Sequence, residues 1–124
     1  MGKNRILIVE DEESLLKLES ILLSAKGYMV SGVMDGRSAL GEIMANRPDL
    51  VLLDIMLPEM DGFEVCRRIR DNPETRAIPV IMLTARKNSQ DHAMGKEVGA
   101  DAYITKPFKS AQVIETIETL LKRQ

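Results

Sequence analysis

The chain has 124 residues, 44% of them hydrophobic and 29% charged, with a formal net charge of −2. That composition fits one compact domain, long enough to bury about two thirds of its unfolded surface, and excludes a disordered chain. It offers no electrostatic footprint for nucleic acid or an anionic membrane, and no run approaches the roughly 18 apolar residues of a membrane span.

The start of the chain is polar, and the first apolar run, Ile6–Val9, is too short for a secretion signal. Ile6 stands where a myristoylation motif needs Ser or Thr. The lone cysteine, Cys66, has no internal disulfide partner, which suits a reducing compartment. The expectation is a soluble, cytoplasmic protein.

Ile6–Val9 reads as a first strand. Leu15, Leu18, Leu22 and Ala25 follow at steps of three and four and predict one apolar helix face. Met29–Val33 is a second strand. Ala39, Leu40, Ile43 and Met44 mark a second helix, stopped by Asn46-Arg47-Pro48. Leu50–Leu53 is a third strand. A third helix carries Phe63, Cys66 and Ile69, with Asp61 as cap and Glu64 three residues on in a capping-box pattern. Val80–Leu83 is a fourth strand. Asn88–Val98 is the weakest helix, with Ala93, Met94 and Val98 as its apolar face, Gly95 inside and Gly99 as C-cap. Tyr103–Ile104 is a fifth strand. Val113, Ile114, Ile117, Leu120 and Leu121 line the last helix.

Alternating strands and helices predict a parallel sheet covered on both faces. The runs at Ile6, Leu50 and Val80 are continuously apolar and belong in the centre. Those at Met29 and Tyr103 are shorter or broken by Ser31 and Thr105, and suit the edges. The strand order is then 2-1-3-4-5, a flavodoxin-like (βα)5 doubly wound sheet.

In such a sheet all strand C-termini share one edge, and the ligand crevice opens where the strand order reverses, here between the first and third strands. The first strand runs into Glu10-Asp11-Glu12, the third ends in Asp54, the fourth in Thr84, and the fifth runs into Thr105-Lys106. Carboxylates gathered in one cleft need a cation or a shared proton. An all-oxygen set suits Mg²⁺. His92 stands alone, which disfavours zinc. A carboxylate beside Mg²⁺, a lysine and a hydroxyl is a competent phosphoryl acceptor, since that transfer needs mainly positioning and charge stabilisation.

These segments resemble the receiver domain of two-component response regulators, from about Asn4 to Lys122. The matching stretches are Ile6-Leu-Ile-Val-Glu-Asp-Glu12, Val51-Leu-Leu-Asp-Ile-Met-Leu-Pro-Glu-Met-Asp-Gly62, Ile81-Met-Leu-Thr-Ala85 and Gly99-Ala-Asp-Ala-Tyr-Ile-Thr-Lys-Pro-Phe108. Their order and spacing together are highly specific. The resemblance implies that Asp54 takes the phosphoryl group and that Glu10, Asp11, Asp54 and the Met56 carbonyl hold Mg²⁺. It implies that Thr84 is the switch hydroxyl, that Lys106 contacts the phosphoryl group and that Tyr103 is the aromatic that changes rotamer. It further implies a cis bond before Pro107, a sensor histidine kinase or phosphotransfer protein as donor, and an unknown output domain or target. The signalling surface would be the fourth helix, fifth strand and fifth helix.

The expected organisation is a single receiver domain over residues 1–124, ordered from about 4 to 122, with no output domain and no direct nucleic-acid contact. Glu10 stands where many relatives have Asp, so its longer reach favours a water-mediated metal contact. Met56, and Arg86 two residues beyond Thr84, occupy positions that set phosphoryl lifetime in the family. The apolar Met56 predicts slow loss of the group. Ala102 and Thr116 replace the acidic and basic dimer contacts common in winged-helix regulators, which argues against that output. The Asp71–Pro79 loop resembles stand-alone, hybrid-kinase and cyclase-linked receivers.

Bland readings weigh against some of these. Tyr103 on an edge strand could simply pack with its hydroxyl wet. His92 reads as a solvated helix residue, the eight methionines as gap-fillers in core and loop, and Cys66 as a small helix-face residue. Three competing functions fit the residues less well. A phosphatase with Asp54 as nucleophile lacks the second acid at Met56. A flavin module on the same fold would find its phosphate repelled by Glu10-Asp11-Glu12. A non-phosphorylated interaction scaffold is opposed by the full residue set.

Overall fold

The computed structural model describes residues 3–84, 89–106 and 109–122. Five strands alternate with five helices: β1 (Arg5–Val9), α1 (Glu13–Ala25), β2 (Met29–Val33), α2 (Gly36–Asn46), β3 (Leu50–Asp54), α3 (Gly62–Asp71), β4 (Val80–Thr84), α4 (Ser89–Glu97), β5 (Ala102–Thr105) and α5 (Ser110–Lys122). All strand pairs are parallel and the order is β2-β1-β3-β4-β5, as expected. β3 and β4 are buried along their whole length, whereas β2 is largely exposed. A strand buried on two faces must be apolar throughout, which is why composition foretells position here.

Side-chain alternation splits the core into two layers. Leu7, Val9, Val51, Leu53, Val80 and Met82 face Ala39, Ile43, Val65, Cys66 and Ile69 of α2 and α3. Ile6, Ile8, Leu50, Leu52, Ile81, Leu83 and Ile104 face Leu23 of α1 and Val113, Ile117 and Leu120 of α5.

The helix ends follow local chemistry. The Asp35 carboxylate accepts the Ser38 N–H at 2.7 Å and caps α2. The Asp61 carboxylate accepts the Glu64 N–H at 3.0 Å and caps α3. The reciprocal half of the capping box is not made: Glu64 instead pairs with Arg67 and Arg68, both at 2.9 Å. α4 ends in a Schellman turn, with the Gly99 N–H on the Lys96 carbonyl, the Ala100 N–H on the Gly95 carbonyl, and Gly99 at φ +95°.

Two helix faces differ from expectation. In α1 the buried residues are Glu19 and Leu23, while Leu18 is 51% exposed and Ala25 is exposed. The inward line is Leu16, Glu19 and Leu23, one residue round from the apolar line Leu15, Leu18, Leu22 and Ala25. In α4 Gly95 is buried, as is Val98 just past the end of the helix, whereas Ala93 and Met94 are exposed. Gly95 faces inward against the Tyr103 ring: an added Cβ would lie 3.2 Å from it, a tight contact to which the ring would have to yield. The methionines divide: Met82 sits in the core and Met60 packs against it, whereas Met29, Met34, Met44, Met56 and Met94 are exposed.

Candidate functional site

At the C-terminal edge of the sheet, β1 passes into Glu10, whose N–H still donates to the Val33 carbonyl at 3.0 Å. Sheet bonding thus extends one residue past the strand and fixes the Glu10 backbone. Its side chain is turned inward and is 1% exposed, while the next carboxylate, Asp11, faces solvent. One Glu10 oxygen accepts the Glu12 N–H at 3.2 Å.

On the neighbouring strand Asp54 is 6% exposed, and its Oδ1 accepts the Met56 N–H at 3.2 Å. The chain then turns back, with the Gly62 N–H on the Ile55 carbonyl at 2.8 Å. Any larger residue at position 62 would drive its Cβ into the Asp54 carbonyl oxygen and to 2.8 Å from the Ile55 Cα. Gly62 therefore sets how closely the loop after Asp54 folds over it.

Lys106 follows β5, its N–H donating to the Thr84 carbonyl at 2.6 Å. Its Nζ lies 2.6 Å from Glu10 Oε1 and 3.4 Å from Asp54 Oδ2. Thr84 is fully buried at the end of β4, in register with Thr105. One carboxylate oxygen from each of Glu10, Asp11 and Asp54 falls within 4.8 Å of the others.

The electrostatics follow from that crowding. Burial pushes the Asp54 acid up to about 6; the Lys106 charge opposes this and Glu10 adds to it. For Lys106 burial works against the charged form, but the hydrogen bond to Glu10 and the charge of Asp54 outweigh it and hold the amine above its usual value. Three carboxylates face one ammonium, so the cluster carries an excess of negative charge. Its donors are all oxygen, two of them buried and rigidly placed. That set fits a hard divalent cation of the magnesium class.

Of the sequence-predicted residues, the structure brings Glu10, Asp11, Asp54 and Lys106 together, with Thr84 at the adjacent strand end. Met56 reaches the cluster through its backbone N–H, its side chain being 53% exposed. Tyr103 lies elsewhere, half-buried against α4, its ring centroid 4.0 Å from that of His92 in an edge-on contact. His92 is therefore exposed on one side and packed on the other, rather than simply solvated. Pro107 and Arg86 fall outside the described residues. Cys66 is buried against the Val98 carbonyl at 3.5 Å, and burial pushes its thiol up to about 11, so it is inert packing.

Comparison with known proteins decides the family. The sequence profile of the response regulator receiver domain matches residues 6–118. The chain belongs to that family. Over 121 residues the receiver is 43% identical to the transcriptional regulatory protein CseB of Streptomyces avermitilis, covering 98% of this chain and 50% of that protein. The chain thus spans about half the length of this curated relative. A putative response regulator from Chloroflexus aurantiacus superposes with a TM-score of 0.94 at 32% identity, covering 98% of this chain and 99% of that one. The receiver domain of a sensor histidine kinase from Pseudomonas aeruginosa superposes with a TM-score of 0.90 at 31% identity, covering 98% and 99%. That structure has a magnesium ion coordinated in its active-site cleft.

One residue near the receiver's acidic cluster escapes a reading by motif. Glu19 on α1 is 2% exposed and is charge-coupled to Glu10, Lys106 and Asp54. The signal that could have found it is the heptad line Leu16, Glu19, Leu23, in which a glutamate interrupts an otherwise apolar face.

Proposed function

We propose that this receiver is a phosphoryl-accepting switch whose acceptor is Asp54. The observation that carries the reading is a buried carboxylate with an ammonium at 3.4 Å and two further carboxylates within 4.8 Å. Glu10, Asp11, Asp54 and the Met56 carbonyl would hold Mg²⁺, which supplies charge neutralisation at the phosphoryl oxygens when bound. An Asp54 oxygen attacks phosphorus in line. The bond from phosphorus to the donor nitrogen breaks, and the leaving imidazole keeps the electron pair. Lys106 then exchanges Glu10 for the new phosphoryl oxygens, and the Thr84 hydroxyl donates to another.

The donor is a sensor histidine kinase, a phosphotransfer protein or a small acyl phosphate. The chain catalyses only its own phosphorylation and dephosphorylation. Movement of Thr84 and Tyr103 would carry the state to the surface of α4, β5 and α5, and so to an output domain or target protein. With a net charge of −2, this domain itself would not contact nucleic acid. Among the described residues no helix is long and apolar enough to cross a membrane, which supports a cytoplasmic role. The whole of residues 1–124 would act as one receiver domain.

The test is intact mass after acetyl phosphate treatment, with and without Mg²⁺, on wild type and Asp54→Ala. The expected result is one phosphoryl adduct that needs both Mg²⁺ and Asp54. No adduct in a wild type that binds Mg²⁺ would instead favour an unphosphorylated scaffold. An adduct that persists in Asp54→Ala would mean another acceptor.

A further inference from the structure

α1 docks on the sheet and against α5 through an inner line of Leu16, Glu19 and Leu23. The carboxyl of Glu19 is buried with them, and neither of its oxygens has a hydrogen-bond partner among the described residues. Beside it Leu22, Leu23, Leu52, Ser110, Val113 and Ile114 line a partly open pocket with about 10 Å³ of room, the size of a single water. Apart from Glu19 itself and the Ser110 hydroxyl at the start of α5, the described side chains that line it are apolar. An ionised carboxylate with no hydrogen-bond donor is costly in such surroundings, whereas a neutral carboxylic acid is tolerated.

Among the described residues, few charged groups face it. Glu10 from β1 and Asp54 from β3 disfavour its ionised form, and Lys106 after β5 favours it. β2 has no ionisable residue, and α5 keeps Glu115, Glu118 and Lys122 exposed. On α1 itself Glu13 and Lys17 pair with each other in solvent.

We propose that Glu19 is a proton switch for the docking of α1: neutral, it lets the helix seat; ionised, it loosens the helix and the acidic Glu10–Glu12 loop that leads into it. Burial first, then Glu10, push its acid from 4.5 up to about 7, with Lys106 opposing and Asp54 adding. The unfolded chain therefore loses this proton near 4.5 and the folded chain near 7. Between those values the folded state holds a proton that the unfolded state has released. Stability falls as pH rises through that window and is flat above it.

The experiment is urea unfolding of the whole chain in metal-free buffer from about pH 4.5 to about pH 8.5, for wild type and Glu19→Gln. Asp54 titrates in both chains, so most of its own contribution cancels in the comparison. Relative to the variant, the wild-type unfolding constant should rise on the order of 10²-fold across the window. Parallel curves would overturn the proposal. Amide hydrogen exchange on the same pair locates the effect: excess opening of wild-type α1 at high pH supports it, and equal excess in every helix overturns it. Should Glu19→Gln not fold, the wild-type Glu19 carboxyl carbon is titrated by NMR. A midpoint near 7 supports the switch, and one near 4.5 overturns it.

Discussion

Replacing Asp54 by Asn should stabilise the metal-free receiver. The Asp54 acid is raised from 3.8 to about 6, chiefly by burial, with Lys106 opposing and Glu10 adding. That rise corresponds to roughly 3 kcal/mol against the ionised native state. The asparagine oxygen can still accept the Met56 N–H, and the new amide N–H groups turn a repulsion from Glu10 into a hydrogen bond. Lost in exchange is the longer of the two Lys106 contacts, at 3.4 Å. The net gain at neutral pH should be about 1–3 kcal/mol.

The sign fixes the pH window. A group with a raised folded pKa contributes its full stability below its unfolded value and loses it as pH climbs through its folded value. Wild type should therefore match Asp54→Asn most closely below about pH 4, fall behind between about pH 4 and about pH 6, and stay behind above that. Urea midpoints of both chains in EDTA measure the gap. Millimolar Mg²⁺ should close it, because the cation neutralises the wild-type cluster whereas the variant has lost a ligand. A variant equal to or less stable than wild type at about pH 7.5 in EDTA, with an unchanged far-ultraviolet spectrum, would refute this account of the site.

Three further outcomes follow from the same contacts. Lys106→Met strips the cation from a Glu10 that is 1% exposed, and should cost about 3 kcal/mol in urea unfolding as well as abolishing the phosphoryl adduct. Arg70→Ala removes donors to the Gly99, Arg76 and Ile78 carbonyls and to Asp101, all within 3.0 Å; it should cost about 2–3 kcal/mol, and hydrogen exchange should show the α3–β4 loop opening first. Met56→Asn puts a polar side chain where an exposed thioether stands two residues from Asp54, and should shorten the phosphoryl lifetime by about tenfold as followed by intact mass.

Most of the architecture was legible because each strand's composition reflects its place in the sheet. Leu50-Val51-Leu52-Leu53 has no polar break and lies at the centre, while Ser31 and Thr105 interrupt the edges. The acidic cluster was legible for a related reason: a parallel sheet sends Glu10, Asp54, Thr84 and Lys106 to one edge whatever the intervening helices contain. Helix faces were less legible. Leu15, Leu18 and Leu22 make a convincing apolar line on α1, yet the helix docks one residue round from it, because the sheet selects the face that fits rather than the most apolar one. Similarly, Gly95 looked like a weakness in α4 but is the surface on which the Tyr103 ring packs.

Glu10, Glu19 and Asp54 are the buried charged side chains of the described residues. They converge on Lys106 and together outnumber it. The mismatch is built into the backbone: two of the carboxylates stand at the ends of β1 and β3, and the third is delivered by α1 from behind. Such a cluster has two ways to relieve itself, a proton or a cation. Protons act at Asp54 and Glu19, whose acids lie near neutrality. A divalent cation would act at Glu10, Asp11 and Asp54, where the oxygens already approach one another. The two therefore compete for the same excess charge. Because the loop that carries Glu10 and Asp11 runs directly into α1, whatever relieves that charge also bears on how firmly the helix seats.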